Sequence, residues 1–108
     1  KRMAFEINPK GTKIVKKVAG KNRIAIRWSA QKVETSGYQI QCSTDSRFRK
    51  SNRTATLRNN VTTYYKISKC NTVRVYYVRV RTYKNVKVSG KVVKIYSAWS
   101  KVVAIKAK

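Results

Sequence analysis

The sequence predicts an all-β fold, an antiparallel sandwich of two sheets, on three observations. The apolar residues make up 42% of the chain and are dominated by Val, Ile and Tyr, whose branched or flat side chains suit a pleated surface better than a helix. Several segments alternate apolar and polar residues with a period of two. About seven such segments are separated by turn signals at sandwich-like spacing, with no helical stretch between them. A small barrel is the structural alternative. At 108 residues the chain has room for one domain and one core, burying roughly two thirds of the surface an unfolded chain exposes.

The elements follow in order. Residues 1–9 contain the single proline, Pro9, and lack periodicity, so they are expected to be a linker, with the domain proper over 10–108. Thr12 to Val18 is a short edge strand. After the turn Ala19-Gly20-Lys21-Asn22, the run Arg23 to Trp28 places Ile24, Ile26 and Trp28 on one face. A polar loop ends at Ser36-Gly37, and Tyr38, Ile40 and Cys42 then face inward while Gln39 and Gln41 point to water. Ser43 to Lys50 reads as a turn carrying Phe48, Thr54 to Leu57 and Thr63 to Ile67 as short strands, and Asn59-Asn60 as the turn between them. The clearest strand runs from Arg74 to Tyr83, with Tyr76, Val78 and Val80 on one face and Tyr77, Arg79 and Arg81 on the other. Lys84 to Val93, with Ser89-Gly90 inside it, reads as a long hairpin arm, and Trp99 to Ala107 as the last strand.

Charge is the dominant functional signal. The chain has 27 Lys and Arg against 3 Asp and Glu and no His, a net charge of +24. Such a surface attracts polyanions of any kind, and the attraction is screened by salt. Arg79 and Arg81, with Tyr77, share an outward face; an arm folded over that sheet adds Lys84, Lys87, Lys91 and Lys94, with Tyr77 or Tyr83 available for stacking. A plate for an anionic polymer is one reading of this row. Strand alternation alone, producing a solvated face, is the other.

Catalysis is not expected. Glu6, Glu34 and Asp45 are scattered and no histidine supplies a base, so paired-carboxylate hydrolysis, an activated nucleophile and a calcium loop all lack their groups. No glycine-rich phosphate loop occurs, and no cofactor or metal is expected. Neither a signal peptide nor an apolar span of the ~20 residues a membrane helix needs is present. The chain begins at Lys1 and is expected to be a segment of a longer protein. Its two cysteines, Cys42 and Cys70, are either a disulfide or two buried thiols.

Trp28, Gly37-Tyr38-Gln39-Ile40, Tyr76-Tyr77-Val78-Arg79-Val80-Arg81 and Tyr96-Ser97-Ala98-Trp99-Ser100 together resemble fibronectin type III domains, over about Pro9 to Lys106. The lysine-rich style resembles modules of that family in secreted and wall-attached proteins of Gram-positive bacteria. The resemblance implies an immunoglobulin-like sandwich with Trp28 central and Tyr76 at a tyrosine corner, its hydroxyl bonded to backbone a few residues upstream. It implies that Cys42 and Cys70 face inward at one end on opposite sheets, which favours a cross-link worth roughly 3 to 4 kcal/mol over two free thiols. The Pro-Gly usual in the family before the sixth strand is replaced here by Asn71-Thr72-Val73, and no Arg-Gly-Asp occurs.

The expected function is that of a non-catalytic spacer or accessory module of an extracellular bacterial protein, at the cell surface or wall. Its partners would be neighbouring domains and an anionic wall phosphate polymer or acidic glycan. Sequence-nonspecific nucleic-acid binding is a second reading, and a protein-binding module using end loops or an edge strand a third.

Overall fold

The computed structural model describes residues 9–50 and 52–108. Eight strands appear in chain order: β1 (Ile14–Gly20), β2 (Arg23–Trp28), β3 (Gly37–Ser43), β4 (Arg53–Leu57), β5 (Tyr64–Ile67), β6 (Val75–Val88), β7 (Lys91–Tyr96) and β8 (Val103–Lys106). All pairings are antiparallel. One sheet has the order β1-β2-β5; the other runs β4-β3-β6-β7, with β8 also paired to β6. No helix among the described residues is long and apolar enough to cross a membrane.

The core lies between the sheets and is built by alternation. Ile24, Ile26 and Trp28 enter from β2, Tyr38, Ile40 and Cys42 from β3, and Tyr76, Val78 and Val80 from β6; all are buried in one cluster with Ile67, Cys70 and Ile105. Each large apolar side chain so buried contributes about 1.5 to 3 kcal/mol. Trp28 and Tyr38 meet across the sheets, with ring centroids 5.3 Å apart and planes tilted by 58°. The Tyr38 hydroxyl donates to Asn60 O at 2.9 Å and accepts from Gln31 N at 2.8 Å, tying two loops to the core. At the opposite end, Asn71 N donates to the Tyr76 hydroxyl at 2.7 Å, five residues upstream. That bond organises the turn in which the usual Pro-Gly is missing.

Several elements differ from the sequence expectation. The strand expected to stop at Tyr83 continues to Val88 and pairs with β7, so the arm extends the sheet instead of folding over it. A chain already paired on one edge has no reason to turn where alternation merely loses its apolar partner. At the tip, Ser89 and Gly90 both hold positive φ, 52° and 82°, the combination that matches the twist of a two-residue hairpin. The last strand is broken: Trp99 lies before β8, and Ser97 and Ser100 bridge the gap between β7 and β8 along the same edge of β6. Ser97 N and Ser100 N donate to the carbonyls of Thr82 and Val80, while the two serine hydroxyls accept from the Thr82 and Val80 amides, each at 3.0 Å. Side-chain oxygens thus replace the missing ladder carbonyls, and the eight strands occupy seven strand positions. The lead-in is attached at its end: Pro9 is buried and Thr82 Oγ1 donates to Lys10 O at 2.8 Å. The rest of the linker expected over 1–9 lies outside the described residues.

Cys42 and Cys70 are free thiols, both buried, and not the cross-linked pair that the resemblance favours. Burial pushes the Cys42 thiol up to about 12, helped by neighbouring Cys70, and raises Cys70 as well. Both therefore remain protonated at neutral pH and serve as small apolar fillers.

Candidate polyanion-binding surface

The outward side chains of β6 do lie on one face, but they are already engaged. The Arg79 guanidinium sits 4.0 Å from the Phe48 ring centroid and 4.2 Å from that of Trp99. Arg81 sits 4.1 Å from Trp99 and 3.7 Å from Tyr96. The result is a ladder of five layers in the order Phe48, Arg79, Trp99, Arg81, Tyr96. Its edges are closed too: Arg79 donates to Gln41 Oε1 and Arg81 to Gln39 Oε1, in each case through Nε at 2.9 Å. Each glutamine then donates to a threonine of β4 at 3.3 Å, Gln41 to Thr54 and Gln39 to Thr56. Gln39 and Gln41 are consequently spacers beneath the arginines and do not simply point to water. Burial lowers the Arg79 pKa, with the Arg81 charge adding to it, and burial lowers Arg81 likewise.

Tyr83, expected to be available for stacking, is buried on this face. Its hydroxyl donates to Leu57 O at 3.1 Å, and its ring runs over Gly37, where a Cβ would meet Leu57 O at 2.0 Å and the Tyr83 hydroxyl at 2.8 Å. Tyr77 is half-buried beside Ala104 of β8. Of the arm lysines, Lys87 and Lys94 share the face of Arg79 and Arg81, since Lys94 stands opposite Asn85 in the register. Lys84 and Lys91 do not: Lys84 has the parity of Val78 and Val80, and Lys91 pairs with Val88. The four lysines expected to join one plate are split by strand alternation across two faces.

A second cationic face, not singled out from the sequence, covers the outside of the three-stranded sheet. The register sets Lys16 opposite Arg27, Val18 opposite Ala25, Ala25 opposite Lys66 and Arg27 opposite Tyr64. Lys16, Arg23, Arg27 and Lys66 are all exposed. The Arg27 guanidinium stands 5.6 Å above the Tyr64 ring, which is itself 44% exposed. A depression of about 60 Å³ lies between Lys16, Val18, Ala25, Ile26, Arg27 and Tyr64. Its signal in the sequence was available: Arg23, Ala25 and Arg27 are the residues that alternate with Ile24, Ile26 and Trp28, and small Ala25 leaves the floor flat.

Among the described residues no carboxylate is paired with these cations. Among the described residues the ion pairs are Lys84 with Glu34 and Arg49 with Asp45. The Lys84 hydrogen bond and charge hold Glu34 below its ordinary pKa, and the Arg47 backbone amide leads the groups that do so for Asp45. A larger cleft of about 270 Å³ opens between the edges of β4 and β5 over Ile40, Cys42 and Ile67. Arg53 spans it, donating to Ser68 O at 2.7 Å and Lys69 O at 3.0 Å, and so acts as a strut.

The fold is shared with solved structures. One described as "Myokine structure" superposes with a TM-score of 0.66 at 15% identity, covering 94% of this chain and 98% of that one. The crystal structure of a beta-1,2-glucanase from Parabacteroides distasonis matches with a TM-score of 0.63 at 17% identity, over 94% of this chain and 14% of the glucanase. No curated protein sequence matches. The fibronectin type III domain profile matches residues 8–95. With that match and the two-sheet sandwich, the chain belongs to the fibronectin type III family, whose domains are typically non-catalytic modules.

Proposed function

We propose that this fibronectin type III domain is a non-catalytic accessory module of an extracellular bacterial protein, spacing its neighbours and adhering to anionic wall polymers or acidic glycans. The observation that carries this reading is the outer face of the β1-β2-β5 sheet, where Lys16, Arg23, Arg27 and Lys66 share one face with exposed Tyr64 and pair with no acid among the described residues. Positive potential on a rigid sheet needs no pocket to hold a phosphate chain, and the stacked Arg27 and Tyr64 offer a flat surface to a sugar or base. The accessory role is supported by the glucanase, in which the matching region is 14% of a longer chain.

Titration of a wall phosphate polymer and a DNA duplex at rising ionic strength tests the reading. Affinity falls linearly with log salt, by about one slope unit for each neutralised phosphate. The triple variant Arg23→Gln, Arg27→Gln, Lys66→Gln lowers the slope by about three units. An equal loss from three lysine changes elsewhere on the surface would leave only diffuse charge. Tighter binding to the duplex than to the wall polymer would turn the assignment to nucleic acid.

A further inference from the structure

The β6–β7 arm stands apart from the rest of the molecule. Pairing of β6 with β3 ends at Tyr83 opposite Gly37, so from Asn85 onward β6 pairs only with β7. A two-stranded ribbon therefore projects beyond the sandwich, roughly 15 Å at the strand rise per residue, in a molecule whose longest extent is 50 Å. Its base is fixed by the Lys84–Glu34 ion pair, by Ser36 Oγ accepting from Asn85 N at 2.9 Å and by Ser36 N donating to Tyr83 O at 2.7 Å. Its faces differ. One carries Val86, Val88, Val93 and Ile95, flanked by Lys84 and Lys91; the other carries Asn85, Lys87, Val92 and Lys94. Val88 is 54% exposed and Val93 44%, and no element among the described residues covers them.

We propose that this ribbon docks on an anionic lipid surface, its valine and isoleucine face entering the headgroup boundary while its lysines meet lipid phosphates. Charge selects the class of occupant. The ribbon holds four lysines and one nearby carboxylate, and a second copy of a +24 chain is repelled by it. The side chains select lipid among anionic surfaces. Short branched residues without an aromatic or arginine anchor suit shallow insertion of about 5 to 10 Å better than a protein hot spot. Duplex grooves offer little apolar surface for four such side chains. Lysine stems are long enough to lie along the valines and still reach phosphate. This inference is independent of the polyanion face on the other sheet.

Sedimentation with vesicles of phosphatidylglycerol and phosphatidylcholine, against phosphatidylcholine alone, tests it. The domain sediments with the anionic vesicles only. The double variant Val88→Ser, Val93→Ser alters exposed positions, keeps the wild-type melting temperature and lowers partitioning about tenfold, while binding of soluble polyphosphate is unchanged. Lys91→Gln, on the valine face, weakens vesicle binding and flattens its salt dependence. Wild-type partitioning of the double serine variant overturns the proposal and leaves the polyanion reading standing. So does a wild-type domain that ignores vesicles but loses duplex affinity in the lysine variant. Loss of polyphosphate binding by Arg23→Gln, Arg27→Gln, Lys66→Gln, with vesicle binding intact, separates the two surfaces.

Discussion

The outer faces of the two sheets carry the same residue types in opposite conditions. On the five-stranded sheet, Arg79 and Arg81 are sandwiched by Phe48, Trp99 and Tyr96 and hydrogen-bonded by Gln41 and Gln39. On the three-stranded sheet, Arg27 leans on one exposed tyrosine, and Lys16, Arg23 and Lys66 reach into solvent. An arginine whose plane and edge are both satisfied holds the protein together; one with both open is free to hold something else. Arginine next to an aromatic therefore does not mark a binding face until its remaining donors have been counted.

This contrast is sharpened first by Gly37→Ala. Its Cβ would lie 2.0 Å from the Leu57 carbonyl under Tyr83, so β3 and β4 must separate. The expected cost is about 3 kcal/mol or more, read as a fall in Tm of roughly 15 °C. Next, Trp99→Ala removes the middle layer shared by both arginines and costs about 2 kcal/mol with polymer affinity kept. Polymer binding lost at unchanged stability would break the contrast, because the ladder would then be the contact surface. The smallest effect on folding is expected from Arg27→Gln, within about 0.5 kcal/mol of wild type by denaturant midpoint, while its salt slope for polymer binding drops by about one. A large stability loss there would mean that Arg27, too, is structural.

Most of the strands and the core were legible because alternation is a local signal; the order of the strands in each sheet was not. Ile24, Ile26 and Trp28, or Tyr76, Val78 and Val80, announce their face within one strand. The arginine ladder was not legible. Its layers come from the turn at Phe48, the strand residues Arg79 and Arg81, the end of β7 at Tyr96 and the break at Trp99, and only the tertiary fold stacks them. The length of β6 was misjudged at Tyr83 for a related reason: past that point no core remains to impose an apolar rhythm, while backbone pairing to β7 continues. The split of Lys84 and Lys91 from Lys87 and Lys94 follows from the same continuity, since a strand that does not bend keeps its parity. Between Cys42 and Cys70, sequence could place two thiols in the interior but carries no information on whether they bond.

The interruption of the final strand also bears on how such a charged sandwich stays apart from its own kind. An unbroken final strand would present a long straight border of free amides and carbonyls to any passing β-structure. Here that border is cut where Ser97 and Ser100 turn their hydroxyls back on β6 and Trp99 takes the gap between them. A neighbouring molecule thus finds two short stubs in place of a template, and self-association is discouraged by shape as well as by repulsion.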